Sequence, residues 1–482
     1  MQLQTGIFDL TRVYFFYILY SFMKILQGYD PMEKKLFGTD GIRGKANQYP
    51  IVPTLLIKVA MAAAHLFTRG DHRHTVVMGK DTRQSGYMIE TALTSAFTSM
   101  GVDVIQIGPM PTPAVAILTR AMRADLGVMI SASHNPYDDN GIKFFNAEGM
   151  KLTDAQERDL ETLVFGPDLP FSSPHHVGKV RRIDAQGRYV EYAKATLPRK
   201  FGLDGLKIVI DCAHGAAYKV APQVLWELGA EVIAIGVQPD GLNINDGYGA
   251  TSPQKLSDAV LENKADLGIA LDGDADRLIM VDEMGYIIDG DNLMGLIAKS
   301  WKEDGKLMGG AVVATLMSNL GLERYLDGIG LTLIRANVGD RYVLEKMQEH
   351  NCNFGGEQSG HLILTDYSST GDGLIAALQV LRVFMKTKSQ NSQAKFSQIA
   401  RVFTPVPQIL RNVRVSNKSV LNQAPIRSAI QEAEERLEEL KGRLLVRPSG
   451  TEPLIRIMAE ADDPLLLNEI VSNLVAAFGG SQ

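Results

Sequence analysis

The sequence predicts an α/β protein with three related αβα domains, mixed but largely parallel sheets, and a smaller C-terminal α+β domain. Repeated segments carry this prediction. Residues 101–108 (GVDVIQIG) are echoed by residues 229–236 (GAEVIAIG), and residues 124–131 (ADLGVMIS) by residues 265–272 (ADLGIALD). Each repeat has the pattern of a short buried strand. Strands that alternate with helical stretches build parallel sheets covered by helices, and internal repeats indicate related units.

A third and weaker copy, and then a different tail, complete the predicted order. Residues 331–335 and 352–361 repeat the strand and polar-loop pattern. Residues 402–414 are β-like but interrupted by prolines, and residues 424–440 form a charged amphipathic pattern typical of a helix. The expected divisions are a leader at 1–31, followed by domains at 32–188, 189–290, 291–400 and 401–482.

The amino-acid composition limits the classes of function that the chain can have. The chain has 482 residues, of which 45% are hydrophobic and 22% charged, as in ordinary globular proteins. The net charge of −6, without a block of Lys and Arg, argues against a nucleic-acid partner. Two cysteines, far apart in sequence, exclude a disulfide scaffold and favour a cytoplasmic location.

The first residues depart from this pattern. Residues 13–23 are apolar and aromatic, but they are too few to span a membrane as a helix. We expect no stable membrane insertion, and we expect Met32 to be the natural first residue, with 1–31 an upstream extension. A peripheral membrane anchor is the alternative.

A polar loop follows the predicted buried strand at residues 126–130. Its sequence, SASHNP at 131–136, places hydroxyls, an imidazole and an amide at the carboxyl end of a rigid strand. Enzymes place nucleophiles on such loops, although a turn rich in Ser and Asn is the common alternative.

The equivalent loop in the second copy is acidic. Asp272, Asp274 and Asp276 alternate along it, which favours a hard cation such as Mg²⁺ or Ca²⁺. An EF-hand is rejected, although Glu283 falls at its twelfth position, because Arg277 stands where the sixth position needs Gly. A solvated acidic turn is the remaining alternative.

Two further loops contain side chains that bind sugars and phosphates. Glu357 and Ser359 lie in a Gly-rich loop at 355–361 and can bond hydroxyls or an amine; a plain Gly-rich turn is the alternative. Residues 447–453 (RPSGTEP), with Arg456 on the next strand, form a predicted phosphate cradle, or else a capped hairpin with surface arginines.

Cations near the other loops could line the same centre. Arg43 lies in residues 37–44 (FGTDGIRG), and Lys143 follows the serine-containing loop. Surface turns are the alternative for both. Residues 80–85 (KDTRQS) favour a structural network at a strand end.

Taken in order, these segments resemble the α-D-phosphohexomutase superfamily over residues 36–459. The finer likeness is to its bacterial phosphoglucosamine mutase branch. It is carried by residues 37–44, by residues 338–342 (VGDRY) and by Gln358, where phosphomannomutase and phosphoglucomutase relatives typically have Met.

The resemblance implies roles for the site residues. Ser133 would be the phosphoserine, and an oxygen of its phosphate would join Asp272, Asp274 and Asp276 in binding one Mg²⁺. Glu357 would contact the sugar hydroxyls. Ser359 would share that role, and the non-reacting phosphate would be held by Arg447, Ser449, Gly450, Thr451 and Arg456. Proton transfer and charge stabilisation would fall to Arg43, His134, Lys143, Arg277 and His361.

The resemblance also implies the reaction, in which glucosamine 6-phosphate and glucosamine 1-phosphate interconvert through glucosamine 1,6-bisphosphate. The product would feed UDP-N-acetylglucosamine and peptidoglycan precursor synthesis. The expected partners are a sugar phosphate and, as the source of the phosphoserine, a kinase or a bisphosphate donor. The expected assembly is a monomer or homodimer. The alternatives are a phosphomannomutase/phosphoglucomutase with the same mechanism, a metal-dependent phosphatase, and a catalytically silent sugar-phosphate sensor.

Overall fold

The structure is a computed structural model that describes residues 36–448 and 453–479. The strands in these residues are β1 Phe37–Gly38, β2 Gly41–Lys45, β3 Thr75–Lys80, β4 Asp103–Pro109, β5 Leu126–Ile130, β6 Asp139–Asn146, β7 Val180–Arg182, β8 Lys207–Asp211, β9 Glu231–Ile235, β10 Leu267–Leu271, β11 Leu278–Asp282, β12 Ile287–Ile288, β13 Ala311–Thr315, β14 Thr332–Ala336, β15 Phe354–Gly356, β16 Leu362–Leu364, β17 Gln408–Arg414, β18 Arg443–Pro448 and β19 Leu454–Glu460.

The α-helices of the same residues cover the sheets. They are α1 Pro53–Phe67, α2 Ser85–Ser99, α3 Thr112–Ala121, α4 Asp154–Val164, α5 Gln186–Ala195, α6 Val220–Glu227, α7 Gln254–Asn263, α8 Gly290–Glu303, α9 Leu320–Gly328, α10 Asp340–Glu349, α11 Gly373–Gln390, α12 Ser397–Ala400, α13 Ala424–Glu439 and α14 Pro464–Gly479. None of the helices described is both long enough and apolar enough to cross a membrane.

Three sheets share one strand order. It runs β6-β5-β3-β4 in the first sheet, β11-β10-β8-β9 in the second and β16-β15-β13-β14 in the third. In each sheet the three strands connected by helices are parallel, and the fourth returns antiparallel as a hairpin. The predicted fold class of three related αβα units with mixed, largely parallel sheets is confirmed.

The tail forms the predicted smaller unit. Strands β17, β19 and β18 make an antiparallel sheet, and α13 and α14 bury their apolar faces in a core of its own. The strand predicted over 402–414 begins only at Gln408, because Pro405 and Pro407 carry no backbone N–H for a sheet ladder.

The central strands carry the loops that matter for function. Every residue of β5 and of β10 is buried, as expected for strands covered on both faces. One continuous apolar core extends from the first sheet through the third. The loops at the carboxyl ends of β5, β10 and β15 are therefore attached to one packed body. The leader expected at 1–31 lies outside the described residues, and the expected domain boundaries stay predictions.

Candidate active site

A cleft of about 920 Å³ opens where the repeated loops converge. Its walls come from all three αβα units and from the C-terminal unit. The predicted site residues that line it are Arg43, Ser133, His134, Asp276, Arg277, Glu357, His361, Arg447 and Arg456. Segments more than 400 residues apart in the chain thus meet at one cavity, at the carboxyl ends of the strands where α/β proteins bind ligands.

Ser133 lies at the tip of the serine loop, residues 131–136. Its φ of 51° is in the left-handed region, which non-glycine residues rarely adopt. The hydroxyl Oγ donates to Asp272 Oδ2 at 2.7 Å and lies 3.3 Å from His134 Nδ1. The backbone N–H of Ser133 donates to Ser131 Oγ at 2.9 Å. The loop is therefore bent so that the Ser133 hydroxyl faces an acidic neighbour.

Side chains hold this bent loop by its carbonyl oxygens: Arg43 donates to that of Ala132 at 3.4 Å, and Arg83 and Asn245 bond two others. Arg83 donates to the carbonyls of Ser133 at 2.9 Å and of Asn135 at 2.8 Å, and its Nε donates to Asp81 at 2.8 Å. Asn245, from the second unit, donates its amide to the same two carbonyls at 2.9 and 3.0 Å. The network predicted at residues 80–85 is therefore structural, and it positions the Ser133 loop.

The aspartate loop, residues 272–276, is fully buried in this body. Carboxylate oxygens of Asp272, Asp274 and Asp276 lie within 4.8 Å of one another. Burial, together with the charges of Asp276 and Asp274, raises the pKa of Asp272 to about 8. Among the described residues, Asp274 Oδ1 has no hydrogen-bond partner, and Asp276 Oδ1 lies 3.6 Å from His361 Nδ1, beyond hydrogen-bond distance. Buried carboxylate oxygens without partners are costly, so this donor set fits a hard divalent cation.

Lys143 lies beneath the aspartates and not on the cleft wall. Its Nζ is 2.9 Å from Asp274 Oδ2, 3.2 Å from Asp276 Oδ2 and 3.0 Å from Asp40 Oδ2. Burial alone would lower the pKa of Lys143, but these three carboxylates outweigh it and raise that pKa well above its usual value. Lys143 therefore neutralises part of the charge that the aspartate loop collects.

A second series of charged side chains connects the first unit to the third. Lys151 Nζ is 2.5 Å from Asp40 Oδ1 and also pairs with Asp340. His361 lies between Asp340 and Asp276, at 3.5 and 3.6 Å. Burial would lower the pKa of His361, but the two carboxylates raise it above its usual value.

His134 has the opposite electrostatic environment. Its burial and the neighbouring guanidinium groups of Arg277 and Arg43 lower its pKa to about 4. The imidazole is therefore neutral near pH 7 and can accept a proton from a group beside Ser133.

The Gly-rich loop of the third unit packs against the second. Gly360 has a φ of +92°, and a Cβ there would lie 2.0 Å from the carbonyl oxygen of Leu278. Glu357 accepts the backbone N–H of Gly339 at 3.1 Å and lines the cleft. Ser359 is exposed and is not among the lining residues.

Two arginines mark the cleft wall of the C-terminal unit. Arg447 and Arg456 face each other across β18 and β19. Burial and the charge of Arg456 lower the pKa of Arg447, so the pair favours an anion between or above them. The predicted phosphate-binding residues Ser449, Gly450 and Thr451 lie outside the described residues.

Sequence reasoning missed several residues that build the site. These are Asn245, Asp40, Lys151 and Asp340. Asp40 and Asp340 lie inside the segments 37–44 and 338–342, which were singled out for the resemblance, so their Gly-flanked carboxylates were a usable signal. Asn245 lies in a polar, Gly-rich stretch at 243–249, and its left-handed φ of 61° favours Asn.

Comparison with protein families finds the same order of units. Models described as phosphoglucomutase/phosphomannomutase match the chain at 34–169 (alpha/beta/alpha domain I), 187–285 (domain II), 289–402 (domain III) and 410–477 (C-terminal domain).

Individual proteins agree with these family models. A phosphoglucosamine mutase of Methylobacterium radiotolerans is 58% identical over 92% of this chain and 99% of its own length. A phosphoglucomutase/phosphomannomutase family protein of Burkholderia thailandensis shares the fold with a TM-score of 0.75 and 22% identity, over 92% of this chain and 97% of that one. An Aspergillus fumigatus N-acetylphosphoglucosamine mutase, solved with GlcNAc-6P and magnesium, has a TM-score of 0.59 and 18% identity, over 93% and 96%.

Proposed function

We propose that this chain interconverts glucosamine 6-phosphate and glucosamine 1-phosphate, because it belongs to the α-D-phosphohexomutase superfamily and, within it, to the phosphoglucosamine mutases. The observation that carries the proposal is the Ser133 hydroxyl, held 2.7 Å from Asp272 at the edge of a cleft that all four units line. The product would feed UDP-N-acetylglucosamine and peptidoglycan precursors.

Ser133 is the proposed phosphoryl carrier. The C1 hydroxyl oxygen of glucosamine 6-phosphate attacks the phosphorus of phosphorylated Ser133. The new P–O bond forms as the P–Oγ bond breaks, and the hydroxyl proton passes to a base. His134, neutral and 3.3 Å from Oγ, can take that proton and return it to the Ser133 oxygen.

The second transfer runs in the opposite direction. The 1,6-bisphosphate turns around in the cleft, and Ser133 Oγ attacks the phosphorus at C6. His134 takes the proton of the Ser133 hydroxyl and gives it to the C6 oxygen as the P–O bond to C6 breaks. The serine is then phosphorylated again, and glucosamine 1-phosphate leaves. The same bisphosphate, or a kinase, would supply the first phosphoserine.

The aspartate loop is the proposed magnesium site. Asp272, Asp274 and Asp276 would hold the ion, with a phosphate oxygen on Ser133 as a further ligand. When bound, Mg²⁺ neutralises charge on the transferring phosphoryl group. Arg277 and Arg43 at the cleft edge add positive charge to the same region.

The remaining walls are proposed to orient the sugar. Arg447 and Arg456, with Ser449, Gly450 and Thr451, would hold the phosphate that is not reacting. Glu357 would attract the ammonium group that distinguishes glucosamine from glucose, and Ser359 would bond a hydroxyl. His361 and Lys143 would stabilise charge around the aspartates. Because positioning supplies much of phosphoryl-transfer catalysis, these contacts matter as much as the nucleophile.

Side-by-side turnover tests the proposal. Glucosamine 6-phosphate, glucose 6-phosphate and mannose 6-phosphate are assayed with Mg²⁺ and a trace of hexose 1,6-bisphosphate. We expect a large kcat/KM preference for the amino sugar. Equal or better turnover of the neutral sugars would reassign the chain to phosphomannomutase/phosphoglucomutase chemistry. Stoichiometric release of inorganic phosphate would reassign it to a phosphatase.

A further inference from the structure

A second group of metal-ligating side chains lies outside the cleft. His72, His74 and Asp125 each present a ligand atom within 4.8 Å of the others. His72 Nε2 is 2.9 Å and His74 Nδ1 is 3.1 Å from the same oxygen, Asp125 Oδ1. The three atoms therefore converge on one point.

The sheet fixes this arrangement. His74 directly precedes β3 and Asp125 directly precedes β5, and these strands are parallel neighbours with Val76 opposite Leu126. The backbone N–H of Asp125 donates to Thr75 O at 2.9 Å. Strand register thus brings His74 and Asp125 together, and His72, two residues before His74, reaches the same carboxylate from the preceding loop.

The carboxylate is oriented by a partner of its own. Asp125 Oδ2 accepts the backbone N–H of Thr75 at 2.8 Å, which leaves Oδ1 facing the two imidazoles. Such support of a ligand by an outer hydrogen bond is usual around protein metal sites. The side chains of Asp125 and His74 are 11% and 19% exposed, so the site is partly sheltered, whereas that of His72 is 56% exposed.

A separate cavity of about 790 Å³ borders the cluster. Its lining includes His72 and Asp125, and Cys352 from the third unit. A metal held by three protein ligands keeps a fourth position for water or another donor, and a cavity beside it leaves that position open.

We propose that His72, His74 and Asp125 form a site for one divalent transition-metal ion of the zinc, cobalt or nickel type. Two imidazoles and one carboxylate suit these ions better than Mg²⁺, which prefers oxygen ligands. Metal binding displaces the protons that the two rings share with Asp125 Oδ1.

The site is distinct from the proposed magnesium site. It lies at the amino ends of β3 and β5, whereas Ser133 follows the carboxyl end of β5. Five residues of strand, at about 3.3 Å each, separate the two ends by roughly 17 Å. We expect the metal to hold residues 72–74 against the sheet and to take no part in the isomerase reaction.

Cobalt binding in excess Mg²⁺ tests the proposal, because Mg²⁺ at high concentration would fill the proposed site at the aspartates. Equilibrium dialysis should give one Co²⁺ per chain, and visible absorption should show nitrogen ligands. In Asp125→Asn, whose amide oxygen can still accept from Thr75, and in His74→Asn, Co²⁺ affinity should fall at least about tenfold, the lower limit seen even for outer-shell changes. Isomerase kcat/KM should stay unchanged.

Two comparisons separate this site from other sources of cobalt binding. His175→Asn changes an exposed histidine outside the cluster and should bind Co²⁺ as the unaltered chain does. Asp274→Asn should also keep this Co²⁺. The proposal is overturned if the unaltered chain binds no Co²⁺ in excess Mg²⁺, if His74→Asn and Asp125→Asn both keep it, or if His175→Asn loses as much.

Discussion

The serine loop and the aspartate loop occupy the same place in the repeated fold but are stabilised in opposite ways. Both connect the central strand of a unit to its antiparallel partner, β5 to β6 and β10 to β11. Both also contain a non-glycine residue with positive φ, Ser133 at 51° and Ala275 at 60°. The backbone geometry is thus similar, and the side chains make the difference.

Hydrogen-bond donors hold the backbone carbonyls of the serine loop, whereas positive charge neutralises the carboxylates of the aspartate loop. The carbonyls of the serine loop accept from Arg83 and Asn245. The aspartate loop gathers three buried carboxylates, which Lys143 only partly neutralises. One topology therefore gives a loop that side-chain donors hold in place around Ser133, and a loop whose buried carboxylates fit a divalent cation.

The two loops also touch. A Cβ on Gly273 would lie 2.6 Å from the carbonyl oxygen of Ser133, so the aspartate loop can approach only because that residue is glycine. The contact places Ser133, the proposed nucleophile, beside the proposed magnesium ligands, and changes on either side should have distinct consequences.

Removing the proposed nucleophile should lower kcat more than any other change. Ser133→Ala should lower kcat by at least about 10⁴-fold, as expected when a covalent catalyst loses its nucleophile, while sugar-phosphate binding stays nearly intact. Turnover and calorimetric binding measure the two. Ser131→Ala is the matched control: it removes a loop hydroxyl that only bonds neighbours, and turnover should remain measurable. Near-normal turnover of Ser133→Ala would remove Ser133 from the mechanism.

Removing one aspartate carboxylate should weaken Mg²⁺ binding and lower the Mg²⁺-dependent rate. Asp274→Asn keeps the shape of the side chain and an oxygen that accepts the Thr112 hydroxyl. It leaves one oxygen instead of two to bind the metal. Loss of the metal's charge stabilisation is worth several kcal/mol, so Mg²⁺-dependent kcat should fall about 10²–10³-fold.

The magnesium dependence of rate checks this prediction, with circular dichroism to confirm folding. Asp266→Asn serves as the control, because Asp266 precedes the other end of β10 and bonds Lys207 N. An unchanged Mg²⁺ requirement in Asp274→Asn would move the metal elsewhere.

Weakening the hydrogen bonds that hold the serine loop should lower kcat by less than the loss of an aspartate carboxylate does. Arg83→Lys keeps a positive charge beside Asp81 but loses the planar fork that reaches several carbonyls at once. A small misplacement of Ser133 should lower kcat about 100-fold with little change in KM. Arg324→Lys, at an exposed pair with Asp462, is the control. A rise in KM alone would show that Arg83 acts on sugar binding instead.

The sequence could predict the loops because each is a local pattern at the end of a buried strand. Residues 126–130 and their copies predicted the repeated units, and the alternating aspartates predicted a cation site whose fit is supported by the burial of all three carboxylates and by Asp274 Oδ1, which accepts no hydrogen bond from the described residues. Asn245 and Lys151 could not be found in this way: Asn245 reaches the serine loop only through packing between units, and Lys151 takes part through tertiary pairing with Asp40 and with Asp340 of the third unit. The roles of Ser359 and of the loop around Gly450 stay predictions.

Asn245 offers the test with the smallest expected effect, because its amide bonds the second unit's 243–249 segment to the serine loop. Asn245→Asp tolerates the left-handed backbone but turns two donated bonds into oxygen–oxygen repulsion. Asn245→Gly keeps the backbone relaxed and simply removes both bonds. We expect kcat to fall at least about tenfold in the glycine variant, because it loses two bonds of about 0.5–1.5 kcal/mol net each, and further in the aspartate variant.

Asn351→Asp is the matched control, at another left-handed asparagine on the surface. If the Asn245 variants lose stability but not kcat, as measured by urea unfolding and steady-state rates, the bond holds the units together without positioning Ser133. If kcat falls more in Asn245→Asp than in Asn245→Gly at equal KM, the second unit sets the orientation of the nucleophile as well as supplying the proposed metal ligands.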